Sequence, residues 1–407
     1  MIFVMPNLRH LRVFLEVAKQ RSISGAAPHV FLSQPAITQA IRKLESLLGT
    51  ELFERQSNGM FTTQAGEAWG ARVTRCINHL ERGLRIALRG HYASASADNF
   101  LPQLTTTQLR ALIAVTDNHS FRLASRQLEL SQSSLHRASR ELEQLLGITL
   151  FEKTSASILP TRAAEQLARA AKLAFGEIEQ GYYEISAMQS REVGKIVIGS
   201  MPLARTAILP EAINRFGLTH PDIAIEVVDA PYSSLLLRLR NGDLDLLVGA
   251  LRYPPPTDDI VQEKLIEPSL AIVARNGHPL LHSSSVQLES LLDYGWVLPS
   301  KGTPTRAFFD TLFAQHNLPA PKRLVETSSQ TLIRELLSGS DRLTLLSTHQ
   351  VDQELTQNIL SVIPYDLSHT KRHIGITVRH NWHPTSTQKD FLDFLHQAAS
   401  PYLYGGT

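Results

Sequence analysis

Cysteine is nearly absent from this chain. Cys76 is the only one in 407 residues, which excludes an intrachain disulfide and any zinc site built on several thiolates. A lone cysteine fits a reducing cytoplasm, and its expected role is that of a small buried apolar side chain. No stretch approaches the roughly 18 apolar residues needed to cross a bilayer, so no membrane partner is expected. The apolar start Met1-Ile2-Phe3-Val4-Met5-Pro6 meets Arg9 and Arg12 almost at once and offers no small-residue cleavage site. A secretory signal is therefore not expected, and Met5 is an alternative start. Catalytic fingerprints are missing as well. There is no phosphate-binding Gly-Lys-Ser/Thr loop, no Gly-x-Ser-x-Gly elbow and no dinucleotide-binding glycine pattern at a strand-to-helix turn. His369, His373, His380 and His383 raise a metal hypothesis, but Ile374–Val378 reads as a strand, which does not keep all four on one helix face. Neither a metal nor a cofactor is expected, and the chain does not read as an enzyme.

What is present is unevenly distributed. Residues 1–90 hold 12 Lys/Arg against 6 Asp/Glu, residues 91–190 hold 9 against 10, and residues 191–407 hold 19 against 22. The basic excess sits in the first segment, as phosphate-backbone binding requires, although a solvated surface can carry the same excess. An internal repeat organises the first half. Leu52-Phe53-Glu54-Arg55 recurs as Leu150-Phe151-Glu152-Lys153, an offset of 98 residues that holds without a gap from Leu11/Leu109 to Glu67/Glu165. Two copies are too few for a stacked solenoid, so one small domain is duplicated in tandem.

Within the first copy, Leu8, Leu11, Phe14, Leu15 and Ala18 form the stripe of a first helix. A second helix follows Ser22 or Ser24, shortened by Pro28, whose missing N–H costs nothing in a first turn. Ser33 is the expected N-cap of a third helix that buries Ile37, Ile41, Leu44 and Leu48 and presents Gln34, Thr38, Gln39 and Arg42 on its other face. Then Glu51–Arg55 and Met60–Thr63 flank an Asn58-Gly59 turn, the pattern of a two-stranded wing with Arg55 at its base. Periodicity alone fits a generic three-helix bundle equally well. As a helix-turn-helix, the same layout lets Gln34 reach an adenine edge, Thr38 and Gln39 reach bases or phosphates, and Arg42 reach phosphate.

The run Leu8-Arg9-His10-Leu11, Ala26-Ala27, Leu32-Ser33-Gln34-Pro35-Ala36-Ile37-Thr38, Lys43-Leu44-Glu45, Leu48-Gly49, Leu52-Phe53-Glu54-Arg55 and Thr63-Gln64-Ala65-Gly66 resembles the DNA-binding domain of the LysR-type transcriptional regulators. That resemblance implies DNA contacts at Gln34, Pro35, Thr38, Gln39 and Arg55, which with Ser33 and Arg42 make up the candidate DNA face of the first copy. The second copy keeps the core residues Leu109, Leu112, Val115, Leu135, Leu142 and Leu146 but changes the reading face. Ser133-Ser134 replace Pro35-Ala36, His136-Arg137 replace Thr38-Gln39, Lys153 replaces Arg55, Ala164 replaces Gly66, and Ala156-Ser157 stand in place of the wing's Asn-Gly. Gln132, Ser133, His136, Arg137 and Lys153 form a second candidate DNA face. The other reading is a decayed copy kept for dimerisation or spacing.

Each wing is followed by a long helical pattern. One carries Trp69, Val73, Cys76, Ile77, Leu80, Leu84 and Ala87, the other Leu167, Ala171, Ala174, Ile178, Tyr182 and Ile185. Such stripes suit pairing with another helix or ordinary core contact, and the resemblance favours dimerisation. From Gly194 short strands alternate with helices, which implies a largely parallel sheet. Leu209-Pro210, His220-Pro221, Gly242-Asp243-Leu244-Asp245-Leu246 and Gly277-His278-Pro279-Leu280 resemble the effector domain of the same family, similar in fold to periplasmic solute-binding proteins. A solute-binding protein alone conflicts with the two heads.

The expected fold is thus multidomain: two α-rich winged helix-turn-helix domains with linker helices, then an α/β two-subdomain periplasmic-binding-protein-like domain. The expected boundaries are 1–65 and 104–162 for the heads, 66–90 and 163–192 for their helices and 91–103 for a linker. The effector domain is 193–407, with subdomain I at 193–267 and 380–407 and subdomain II at 268–379. Helix N-termini favour an anionic or hydroxyl-rich ligand, so Ser200, Met201, Pro202 and Leu203 are expected on one cleft wall and Ser300, Gly302 and Thr303 on the other. Ala250, Ser347 and Thr348 follow strand ends and line the cleft, and simple helix capping is the competing role for the hydroxyls. Arg205 and Arg306 either add charge for a carboxylate or phosphate or face solvent. The expected partners are double-stranded promoter DNA, a small-molecule effector such as a sugar or small carboxylate, RNA polymerase, and further copies in a homodimer or homotetramer.

Overall fold

A computed structural model describes residues 4–90, 97–154, 157–283 and 285–402. The chain forms two compact units, Met1–Gly194 with Asn241–Asp243, and Lys195–Arg240 with Leu244–Thr407. Among the described residues no helix is long and apolar enough to cross a membrane.

In the first unit, α1 (Leu8–Gln20), α2 (Ile23–Val30) and α3 (Gln34–Leu48) lead to a hairpin of β1 (Phe53–Gln56) and β2 (Gly59–Thr62), then to the long α4 (Gln64–Ala87). After α5 (Ala97–Phe100) and a 3-10 turn the same succession returns as α6 (Thr106–Asn118), α7 (Phe121–Leu128), α8 (Gln132–Leu146), β3 (Phe151–Lys153), β4 (Ile158–Pro160) and α9 (Arg162–Met188). The repeat extends to single hydrogen bonds. Met60 N–H donates to Arg21 O at 2.8 Å and Ile158 N–H to His119 O at 3.1 Å, and both accepting residues sit at left-handed helix ends, φ 51° and 50°. Ser22 and Ser120 cap α2 and α7, and Gly49 and Gly147 end α3 and α8 in the left-handed conformation that glycine adopts without strain.

Three local expectations change. Pro28 lies well inside α2, which starts at Ile23. Ser33 occupies the N-cap of α3 but its side chain makes no cap bond, whereas Ser131 caps α8 through Ser134 N–H at 3.1 Å. The end of the expected linker is helical, and Leu101 and Leu104 are buried in the core of the first unit. His91–Ser96 of that linker, and Ala156 of the second wing, lie outside the described residues.

The second unit contains β5 (Lys195–Ser200), α10 (Ile208–Thr219), β6 (Ala224–Asp229), α11 (Tyr232–Asn241), β7 (Leu246–Ala250), β8 (Ile260–Ile266) and β9 (Leu270–Arg275). It continues through β10 (Trp296–Leu298), α12 (Pro304–Gln315), β11 (Leu324–Glu326), α13 (Gln330–Ser338), β12 (Leu343–Ser347), α14 (Asp352–Thr356), β13 (Leu360–Val362), β14 (Ile374–Arg379) and α15 (Ser386–Ala399). Two five-stranded sheets result, ordered β6-β5-β7-β14-β8 and β11-β10-β12-β9-β13. The expected end of subdomain II at 379 is corrected by β14, which pairs antiparallel with β7 and β8 in the first sheet and buries Ile374 and Ile376 there. The return crossover therefore lies before Ile374. α15 packs Phe391 and Leu395 into the same core as Phe216 of α10.

Candidate nucleic-acid interface and effector cleft

The first head is built around α3. Ile37, Ala40, Ile41, Leu44 and Leu48 are buried in a core shared with Leu11, Phe14 and Val17 of α1, which fixes the rotation of α3 about its axis. Its other face borders an open groove of about 1130 Å³. Gln34, Pro35, Thr38, Gln39 and Arg42 line it from α3, Arg55–Met60 from the wing, and Gln20–Ser24 from the turn between α1 and α2. All six of the candidate residues other than Ser33 thus come together. Thr38 Oγ1 donates to Gln34 O at 3.0 Å, leaving its lone pairs and methyl for a base edge. Among the described residues neither Arg42 nor Arg55 is held in an ion pair. Arg21, Ser24 and Asn58 belong to the same groove but carry no periodic signal in sequence; Arg21 lies 5.1 Å from the centre of the Phe61 ring. Gly59 is a requirement of the wing: at φ 145° a Cβ would fall 2.8 Å from Arg21 O, the carbonyl that binds Met60.

The second head holds its candidate readers differently. His136 stacks on Phe121 with ring centroids 3.8 Å apart, and burial, then Arg140 and Lys153, lowers its pKa. Arg137 is ion-paired with Glu141 at 2.7 Å, which raises its pKa, where the first head has Gln39 and Lys43 at the same places. Gln132, Ser133 and Lys153 are exposed. Arg122, at the place of Ser24, adds an exposed cation.

In the α/β unit Ser200 ends β5, fully buried, with its Oγ unpartnered. Met201 N–H donates to Val248 O at 3.0 Å, and Pro202–Ala204 form a 3-10 turn. The expected helix N-terminus at this wall is displaced, because α10 begins only at Ile208, after Ala207, which offers no capping side chain. Thr303 does cap α12, accepting from Arg306 N–H at 3.3 Å and donating to Ser300 O at 3.0 Å, beside Gly302 at φ 86°. Ala250 ends β7 opposite Ile374. Ser347 ends β12, and Thr348 opens the 3-10 turn Thr348–Gln350. Arg205 and Arg306 already serve protein carboxylates, Asp229 at 2.8 Å, and Asp310 and Glu326 at 2.9 Å.

Three residues of this region escape sequence reading. His349 Nε2–H donates to Leu203 O at 2.8 Å and so joins the two subdomains; burial lowers its pKa and keeps it neutral. Arg372, at the return crossover, donates to Pro304 O at 2.9 Å. Arg252 lies 4.8 Å from the centre of the Tyr232 ring, and burial followed by the Arg252 charge lowers the pKa of Arg372. Among the described residues neither arginine has an ion-pair partner.

A helix-turn-helix groove joined to a two-sheet α/β unit defines a DNA-binding regulator with a ligand-sensing domain. The family model "Bacterial regulatory helix-turn-helix protein, lysR family" matches residues 8–67 and again 106–165, and "LysR substrate binding domain" matches 189–400. The chain belongs to the LysR family of transcriptional regulators and is an effector-responsive DNA-binding protein rather than an enzyme. It is 34% identical over 375 residues to the HTH-type transcriptional regulator GalR of Pseudomonas putida, covering 92% of this chain and 93% of that protein. It is 26% identical over 299 residues to PcaQ of Agrobacterium fabrum, 74% and 96% of the two chains. Similar solved folds include a full-length OxyR variant from Pseudomonas aeruginosa, with 20% identity, TM-score 0.56, and 75% and 99% coverage. Another is full-length LysG from Corynebacterium glutamicum with bound effector Arg, with 18% identity, TM-score 0.53, and 73% and 98% coverage.

Proposed function

We propose that the first head is the principal reader of promoter DNA, and that a second head of different chemistry lies within the same chain. The groove that gathers Gln34, Thr38 and Gln39 beside Arg42 and Arg55 carries this reading, since it sets short hydrogen-bonding side chains for base edges between cations for the flanking phosphates. The double match of the helix-turn-helix model supports the duplication. So does the alignment with GalR, which runs 375 residues over 93% of that protein where PcaQ gives 299 residues over 96%. Between the two sheets, Ser200–Leu203, Ala250, Ser300–Thr303 and Ser347-Thr348 surround an effector for which Arg252 and Arg372 favour a small carboxylate over a neutral sugar. In the cytoplasm the homo-oligomeric protein, as dimer or tetramer, passes effector binding to RNA polymerase by differential affinity for two quaternary arrangements.

The test is salt-dependent binding of the full chain to duplexes it has selected from a random-sequence pool. Gln34→Ala with Thr38→Ala should lower affinity for the selected duplex about tenfold to a hundredfold and leave the salt slope unchanged. Arg55→Ala should weaken binding to every duplex and reduce the slope by about one. Unchanged specific binding by the Gln34/Thr38 variant refutes the assignment.

A further inference from the structure

Helices α4 and α9 bury one apolar seam between them. Trp69, Val73, Cys76, Leu80 and Leu84 of α4, and Leu167, Ala171, Ala174 and Ile178 of α9, are all removed from solvent. Gly83, near the end of α4, meets Leu167 and Ala170 near the start of α9, while Gly181, near the end of α9, meets Trp69 and Arg72 near the start of α4. The helices are therefore antiparallel. Under the 98-residue offset Gly83 corresponds to Gly181, Trp69 to Leu167 and Arg72 to Ala170. Each contact thus has a counterpart in which the two helices exchange roles, the signature of a two-fold axis. That axis passes between α4 and α9, level with the stretch of α4 midway between Arg72 and Gly83, and it relates one head to the other.

Charge selects this pairing. Arg72, 2% exposed, donates from Nε to Glu184 at 2.9 Å and from Nη1 to Glu177 and Gln180, each at 3.2 Å; Arg75 donates to Glu177 at 2.8 Å. A second α4 in place of α9 would set His79, Arg82 and Ile86 where Glu177, Gln180 and Glu184 stand, and bury a guanidinium with no carboxylate. A second α9 in place of α4 would set Ala170 and Leu173 where Arg72 and Arg75 stand, and bury Glu177 with no cation. An unpartnered buried charge is strongly destabilising, so unlike helices pair and like helices do not. The segments that enter the two heads are bonded to each other too. Leu8 N–H donates to Thr106 Oγ1 at 3.3 Å, Thr106 Oγ1 donates to Pro6 O at 3.0 Å, and Arg12 Nη1 donates to Leu101 O at 3.3 Å.

From these contacts we propose that a single chain holds, folded within itself, a two-headed reader of a two-part DNA site whose halves differ in sequence. The proposal rests on the first head being a DNA reader, as argued above. A two-fold head pair matches the two-fold symmetry of a duplex, so the half-sites are inverted and lie a whole number of turns apart, roughly 34 Å per turn. The halves are unlike because α3 presents Gln34, Thr38 and Gln39, whereas α8 presents Gln132, His136 and Arg137. Glutamine suits an adenine edge, and Arg137, once released from Glu141, suits a guanine.

The full chain, the Gln34→Ala/Thr38→Ala chain and the Arg137→Ala chain each select duplexes from a random-sequence pool. The parent chain should enrich two inverted, unlike blocks. Each variant should lose preference in one block only and bind the parent duplex about tenfold more weakly. The two variant chains are then co-expressed. A pair folded within one chain cannot be rebuilt by mixing, so affinity should stay at the level of the variants. Restored affinity would show that heads pair between chains and overturn the proposal, as would two identical blocks or an Arg137→Ala chain with unchanged selection. A single block sensitive only to Gln34/Thr38 overturns the paired reader and leaves the first head as the reader of DNA. A chain that enriches no sequence overturns both.

Discussion

The position that most separates the two heads is the one held by Lys43 in α3 and Glu141 in α8. Lys43 follows Arg42 on the exposed face of α3, whereas Glu141 follows Arg140 on α8 and takes Arg137 into an i,i+4 ion pair at 2.7 Å. An exposed pair of this kind contributes little to stability, so its effect falls on the charge offered to DNA. Glu141→Lys, which copies the first head, should therefore raise affinity for any duplex and steepen the salt dependence by about one phosphate contact, read from the slope of log K against log salt. A flat response would mean that α8 lies away from phosphate. The sequence made Gln34, Thr38, Gln39 and Arg42 legible because they recur on one face of a helix whose opposite face is apolar. Arg21 and Asn58 were illegible as groove residues, because only the packing of the wing against the end of α1 places them there.

At the scale of elements, the long helices depend on close approach. A Cβ on Gly83 would stand 2.2 Å from Ala170 Cβ and 3.7 Å from Ala170 Cα. Gly83→Ala should accordingly destabilise the first unit by about 2 kcal/mol despite its better helix propensity, and adding Ala170→Gly in the same chain should recover most of the loss in urea unfolding. Equal stability of the single and double variants would show that the seam is not packed this way. The apolar stripes of α4 and α9 were plain from their spacing. Their partner was not, because a stripe specifies that a surface is to be covered and says nothing of what covers it.

Across the α/β unit, the two subdomains meet through His349 and Leu203. The donating Nε2–H leaves Nδ1 buried without a partner, so the neutral ring is the form the fold accepts. With its folded pKa lowered by burial from the usual 6.5, His349 contributes stability that is present above about pH 6.5 and is lost as the pH falls below it, where the unfolded chain takes up a proton the folded one excludes. His349→Gln should flatten the fall in unfolding free energy between pH 7 and pH 5 by up to one proton's worth of slope. Parallel profiles for the two proteins would assign the acid sensitivity elsewhere. Leu203 and Thr348 could be named from sequence as strand-end residues, but the histidine that joins the two subdomains could not, since its acceptor is 146 residues away.

The sequence alone determined the 98-residue repeat, its turns, the polar face of α3 and the alternation of strands and helices after Gly194. These are written in spacings of two to four residues, and the head pattern stands twice at an offset of 98 residues. Tertiary structure decided what those elements meet. It placed α9 of the same chain on the α4 seam, moved β14 into the first sheet, and gave Arg205 and Arg306 to protein carboxylates while leaving Arg252 and Arg372 near the return crossover. The physical reason is that local periodicity and capping act within one turn or one strand. Which surfaces finally cover one another depends on shape and charge complementarity between segments a hundred residues apart, a property of the folded pair and of neither segment alone.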